Sequence, residues 1–305
     1  MSQRESLEAS KRNLLLTRLE LSRLLQRLGN TPWTLLPNQA YQACVAPSVT
    51  VIITLFNYAE YIQECLDSVS QSDIKTLLGG FDVLVIDDGS VDDSVELVEQ
   101  YIKYSTTPTC LVKKHFNTGL ADARNLGLQL ARAPFVFILD ADNWVYPNCL
   151  SALYEAIIQT EYAGVYGMIN CFDNNTYQGI GLMSFYEWDV RELIAMPYID
   201  AMALFKKDIL LQVGGYSTEL MEIGWCGWED YDLWLKIAQN GYSCKLVPNI
   251  LSAYRVHSNS MIKTTNTYTP VLAKYFRKKF SRLVHKYSDL TQLFGFPRDI
   301  ELALK

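Results

Sequence analysis

The sequence has no apolar run near the roughly 20 residues that a membrane-spanning helix needs, so no bilayer span is predicted. Its first residues are charged and interrupted every few positions, unlike the basic, apolar and small-residue layout of a leader. That predicts a cytoplasmic protein. Basic residues are not in excess: 27 Lys and Arg stand against 33 Asp and Glu, a net charge of −6. This balance argues against a nucleic-acid partner held by counterion release. The seven cysteines (Cys44, Cys65, Cys110, Cys149, Cys171, Cys226 and Cys244) include no C-x-x-C pair. An odd, scattered set of this kind predicts reduced core thiols, not a disulfide framework or a zinc site.

What is present is ordinary for a soluble globular protein, with 49% hydrophobic and 20% charged residues. A chain of 305 residues suffices for one large α/β domain with appendages or for two small domains. The most informative stretch is A-P-F-V-F-I-L-D-A-D-N-W, residues 133–144. Its apolar run, rich in aromatic and β-branched residues, reads as a strand buried on both faces. Asp140 and Asp142 fall just past it, at the carboxyl edge where open α/β sheets bind ligands. The D-x-D spacing lets both side chains turn to one side, toward one divalent cation and its phosphates.

Around that stretch the chain divides into three parts. Residues 1–45 form a helical extension and linker, 46–262 the main domain, and 263–305 an amphipathic helical tail. Leu7, Leu14, Leu21 and Leu28 recur at heptad spacing on a helix over 5–28; it packs on its own domain or, alternatively, pairs two copies into a homodimer. Residues 31–47, with three prolines, read as a connecting segment. Apolar strands then alternate with helices: strands at 49–55, 81–86, 110–112 and 134–139, helices at 60–70, after Asp92-Asp93, at 119–131 and at 148–159. This alternation predicts a Rossmann-like α/β fold with a mainly parallel central sheet.

Beyond residue 160 the pattern loosens. A strand is expected at 163–170, a substrate-facing loop at 173–197, a helix at 206–213, an amphipathic helix at 229–240 and a short strand at 244–247. Leu272, Phe276, Phe280, Leu283, Tyr287 and Leu290 repeat at helical spacing over 271–290. Two strands of the main domain end in acids, at Asp87-Asp88 and at Asp140-x-Asp142. One such end is readily a helix cap. Two in one sheet repel each other unless a cation or a ligand sits among them, and hard oxygen donors select Mg²⁺ or Mn²⁺ over zinc.

The motifs T-L-F-N-Y (54–58), V-I-D-D-G-S (85–90), N-T-G-L-A-D-A-R-N (117–125), F-I-L-D-A-D-N (137–143), G-W-E-D-Y-D-L-W (227–234) and Y-R-V-H-S-N-S (254–260) occur in that order. Together they resemble family 2 glycosyltransferases of the GT-A fold, over about residues 48–260. The resemblance implies an inverting transfer from a nucleotide diphosphate sugar to a glycan, glycolipid or other hydroxyl acceptor. It implies that Thr54, Asn57 and Asp88 hold the base and ribose, with Asp87 as a supporting neighbour. A carboxylate can accept from the uracil ring N–H, so uridine is the default base. By the same resemblance Arg124 lies near the diphosphate, Asp140 faces the ribose, and Asp142 with His257 holds Mn²⁺ or Mg²⁺. Asp230 becomes the general base, with Glu229 beside it.

Some features depart from the family pattern. Leu55 follows Thr54 where relatives often have a small residue, and the 71–80 segment is longer than usual. No Q-x-x-R-W signature of processive synthases occurs, which favours single transfer over polymerisation. A haloacid-type phosphatase also uses D-x-D, but follows it with Thr or Val after its first strand; here Asn143-Trp144 follow the fourth. A nucleotidyltransferase needs a Gly- and Arg-rich loop where L-F-N-Y-A-E-Y stands. The non-enzymatic alternative is a catalytically idle nucleotide-sugar-binding protein. In the tail, Lys274, Arg277, Lys278, Lys279, Arg282 and Lys286 have no acid among them. That pattern suits peripheral contact with an anionic membrane, or a helix packed against the main domain.

Overall fold

The computed structural model describes residues 3–223, 227–257 and 262–298. Helix α1 (Gln3–Arg27) leads to strand β1 (Trp33–Pro37) and a short helix α2 (Gln39–Ala43). Strands and helices then alternate: β2 (Val49–Leu55), α3 (Ile62–Ser70), β3 (Phe81–Asp87), α4 (Ser94–Tyr104), β4 (Thr109–Lys114), α5 (Leu120–Leu130) and β5 (Phe135–Asp140). The second half holds β6 (Trp144–Val145), α6 (Cys149–Ile157), β7 (Gly164–Asp173), β8 (Gly179–Met183), α7 (Val190–Ala195), β9 (Ala203–Lys206) and α8 (Lys207–Gln212). It continues through α9 (Leu220–Ile223), α10 (Glu229–Gln239), β10 (Cys244–Val256), α11 (Ile262–Lys279) and α12 (Ser281–Lys286).

These strands form one mixed sheet in the order β1-β4-β3-β2-β5-β9-β7-β10-β6, with β8 on β7. Its centre is parallel: β2 pairs with both β3 and β5, and β3 with β4. Every residue of β2 and β3 is buried, because helices cover both faces of the sheet, which is why these segments read as predominantly apolar runs. From β2 the chain steps outward to β3 and β4, then returns to the other side of β2 as β5. That reversal of strand order opens a crevice at the carboxyl ends of β2 and β5.

Several elements differ from the sequence reading. The segment 31–47 carries β1, which pairs antiparallel with β4 from Trp33↔Lys114 to Pro37↔Cys110. A proline is tolerated there because β1 is an edge strand. The short strand expected at 244–247 runs on to Val256, paired parallel with β7 through two register irregularities. The loop expected at 173–197 contains β8 and α7.

The tail is two helices, not one, and its apolar stripe is packing surface. Leu272, Phe276, Phe280 and Leu283 are buried in the same core as Tyr231 and Trp234. Arg277 donates to the carbonyls of Pro297 and Arg298, and Lys279 ion-pairs with Asp232 at 2.6 Å and Glu219 at 2.8 Å. In α1, Leu19 and Ser22 make the buried contact and Arg23 Nη2 donates to Thr218 Oγ1 at 2.7 Å. The heptad leucines Leu14, Leu21 and Leu28 are exposed on its outer side. Among the described residues the cysteines are free, all but Cys44 buried, and no helix is long and apolar enough to cross a membrane. Cys226 lies outside the described residues.

Candidate active site

Strand register sets the site. Thr54 lies opposite Asp140 and Leu55 opposite Asp87, so three neighbouring strands deliver their terminal polar residues at one level. The crevice there has a volume of about 680 Å³ and is lined by Thr54, Asn57, Asp88, Asp140 and Asp142, and by Leu15 from α1. Asn57 sits at φ +56°, a left-handed conformation uncommon for a residue with a Cβ. Its backbone N–H donates to Ser90 Oγ and its side-chain Oδ1 accepts from Val91 N at 2.8 Å, which holds the turn after β2 against the turn after β3.

The start of α10 is linked to the crevice wall at Asp140 through Arg124. Its N-cap residue Trp228 is also left-handed, at φ +60°, and the helix begins with Glu229 and Asp230. Arg124, only 1% exposed on α5, ties this helix to the sheet. Its guanidinium donates to Glu229 Oε1 at 2.6 Å and to Asp140 Oδ1 at 2.8 Å, and lies 5.2 Å from the Tyr216 ring centre. Thr54 Oγ1 donates to the same Asp140 oxygen at 2.9 Å. The resemblance placed Arg124 beside a diphosphate; the structure places it as a buried strut between two carboxylates. Burial lifts the Glu229 carboxyl above its usual range, with the Arg124 charge opposing. Burial and then the neighbouring Asp200 charge lift that of Asp230.

Asp200 itself went unnoticed in the sequence, where a lone Asp in Y-I-D-A-M carries no pattern. Its carboxyl is raised to about 6 by burial and then by the Asp140 charge.

Asp142 meets a different partner from Asp140. Its Oδ2 lies 3.0 Å from His257 Nε2, and both residues are buried. The post beneath them is Arg255, a second residue passed over in Y-R-V-H. Its Nε donates to the Asp142 carbonyl and its backbone N–H to Asn143 Oδ1, each at 2.9 Å. Its guanidinium pairs with Glu64 and Asn174 and lies 4.6 Å from the Tyr61 ring centre and 5.1 Å from that of Trp144. Among the described residues no three His, Cys, Asp or Glu side chains converge as metal ligands. Asp142 and His257 are therefore an incomplete set by themselves. They fit an ion whose remaining positions are filled by phosphate oxygens and water, the usual arrangement for Mg²⁺.

The strand-end acids are not left to repel one another. Asp88 accepts from the Thr118 and Gly119 amides at 3.0 and 2.9 Å, and Lys114 at the end of β4 lies 2.6 Å from it. Lys114 also pairs with Asp122 at 2.9 Å. Asp87 accepts from Ser90 N at 3.1 Å within its own turn. Lys114 and Arg124 thus answer acids for which the sequence suggested a cation, and His257 lies within hydrogen-bond distance of Asp142. Lys114 was hidden at the polar end of an apolar strand.

The sequence matches the model of glycosyl transferase family 2 over residues 50–214, more than half of the chain. The chain belongs to this family. Glycosyltransferase GlyA of Streptococcus pneumoniae serotype 4 is 24% identical over 279 residues, which cover 85% of this chain and 37% of GlyA. This family 2 chain therefore spans little more than a third of that relative's length. Among solved structures, S. aureus TarS 1–349 in complex with UDP-GlcNAc has a TM-score of 0.59 at 17% identity, covering 77% of this chain and 73% of that one. The mannosyltransferase PcManGT of Pyrobaculum calidifontis, in complex with GDP-Man and Mn²⁺, has a TM-score of 0.56 at 23% identity, covering 90% and 74%. At such identities the likeness is one of fold. It is the GT-A fold, a central, mostly parallel sheet between helices.

Proposed function

We propose that this chain is an inverting glycosyltransferase that moves a sugar from a nucleoside diphosphate sugar, uridine-linked by default, to an acceptor hydroxyl. The observation that carries this reading is the pair of acid sets joined by Arg124: Asp140 and Asp142 on the sheet edge, Glu229 and Asp230 on α10. Thr54, Asn57 and Asp88 line the crevice where base and ribose would lie, with Asp87 bracing their turn. A Mn²⁺ or Mg²⁺ ion held by Asp142 and His257 would neutralise the departing diphosphate as a Lewis acid.

The remaining work falls to the chain's own groups. The acceptor oxygen attacks the anomeric carbon, the bond from that carbon to the diphosphate oxygen breaks, and the acceptor proton passes to Asp230. A base on the face opposite the leaving group makes this a direct displacement, which inverts the anomeric centre. Asp230 suits the role because its raised carboxyl pKa makes it a better proton acceptor than an exposed aspartate, yet still ionised at neutral pH. Glu229, fixed by Arg124, positions that helix end.

Incubation with uridine diphosphate sugars and Mn²⁺ tests the reading, with released UDP as the readout. Slow hydrolysis without acceptor, accelerated by an acceptor and giving the inverted anomer, is expected. Nucleotide binding with no release under any condition would replace an enzyme with an idle binding protein.

A further inference from the structure

Beside the donor crevice lies a second surface, built by the segment between β8 and α7. The antiparallel register of β5 and β9 runs from Phe135↔Lys206 to Phe137↔Leu204. Carried four residues further along each chain, from Phe137 to Ala141 and from Leu204 to Asp200, it sets Asp200 across from the middle of the D-x-D turn. Asp200 Oδ1 accepts from Met202 N at 3.0 Å, and among the described residues no other donor reaches the carboxylate. The backbone N–H of Asp200 donates to Ser184 Oγ at 2.9 Å.

Ser184 is itself buried, and held at φ +54°. A residue with a Cβ persists in that region only where its surroundings over-determine it. The two residues it positions are aromatic and open to solvent: Phe185 is 42% and Tyr186 58% exposed. Their ring centres lie 4.3 Å apart. The Tyr186 carbonyl accepts from Tyr166 Oη at 2.8 Å, and the Tyr198 ring stands edge-on to the Tyr186 ring at 6.0 Å. A fixed backbone thus presents a two-ring shelf to water, and the Ser184 that precedes it is bonded to the backbone of Asp200, whose carboxylate has acceptor capacity to spare.

An apolar shelf with one placed polar group is the chemistry of a ligand subsite. A lipid chain would cover the rings and leave Asp200 desolvated without a donor. A sugar ring satisfies both: its C–H face lies on the aromatic rings and its rim hydroxyls donate to the carboxylate. We infer that Phe185, Tyr186 and Asp200 form the subsite for a saccharide acceptor; this rests on the reading of the neighbouring crevice as the sugar-donor site.

Saturation-transfer NMR with the methyl α- and β-glycosides of glucose, galactose, N-acetylglucosamine and mannose, with and without UDP and Mn²⁺, tests it. Thermal shift by UDP and Mn²⁺ in the same samples reads the donor site separately. The wild-type protein should give saturable signals from the ring C–H protons of at least one glycoside. Phe185→Ala/Tyr186→Ala should weaken that affinity by about tenfold or more, and Asp200→Asn by about fivefold. The double variant should keep the wild-type melting temperature and UDP shift, because both rings are exposed and their loss opens no core. No saturable signal from any glycoside, or undiminished binding by the double variant, would overturn the subsite. Glycoside binding with no response to UDP would uphold the subsite and remove the donor reading instead.

Discussion

Replacing Arg124 by Met removes a guanidinium while keeping most of the buried stem that α5 carries at this position. The substitution strands two carboxylates at once: Glu229, whose side chain is 8% exposed, and Asp140, at 26%. Removing one partner of a buried ion pair costs about 3–5 kcal/mol, because the remaining charge has lost its water and gained nothing. Water reaches Asp140 and offsets part of its share, so most of the cost falls on Glu229. At roughly 2–4 °C per kcal/mol for a domain of this size, scanning calorimetry at neutral pH should record a fall in Tm of roughly 6–20 °C. Glu229→Gln in the same background removes the stranded charge and should recover about 1–3 kcal/mol of the loss. An Arg124→Met protein that melts within about 2 °C of wild type would refute the strut. So would a double variant no more stable than the single one.

Other outcomes follow from the same geometry. Asp230 must be ionised to take a proton, and its carboxyl is raised to about 6 by burial and then by the Asp200 charge; kcat/KM should therefore fall as pH drops through about 6, well above the roughly 3.9 of an ordinary aspartate. Asp200→Asn should move that acid limb downward, and a profile flat to about pH 5 would exclude Asp230 as the base. UDP at a hundredfold excess over its Kd should stabilise the protein by about 2.7 kcal/mol with Mn²⁺ present. Equal stabilisation in EDTA would count against an ion at Asp142 and His257. Lys114→Met should destabilise by about 3–5 kcal/mol, since Asp88 and Asp122 both lose their cation; thermal unfolding within error of wild type would show that the amides alone hold Asp88.

The central strands were legible because both sheet faces are covered, which leaves runs such as Val49–Leu55 wholly buried and mostly apolar, with Thr50 and Thr54 the only polar residues in that one. β1 was not, because an edge strand of five residues ending in Pro37 has the composition of a linker. The far end of β10 was missed because its polar residues serve the site: Arg255 anchors the Asp142 turn from inside a strand. Acids at strand ends could be found from spacing alone. The cations that answer them could not, because Arg124 and Glu229 are 105 residues apart and only the packing of α5 and α10 brings them together. Asp200 depends on the register of β9 against β5, which no local pattern encodes.

The central claim is that Asp230 takes the acceptor proton, and Asp230→Asn tests it most directly. The substitution keeps the side chain's shape and its hydrogen bond to Tyr231 N while removing the basic oxygen. UDP binding with Mn²⁺ and the melting temperature should stay at wild-type values. Transfer, followed as acceptor-dependent UDP release, should fall by about 10²–10⁴-fold, the usual contribution of a general base. Transfer at the wild-type rate, or a product that retains the donor's anomeric configuration, would contradict the mechanism.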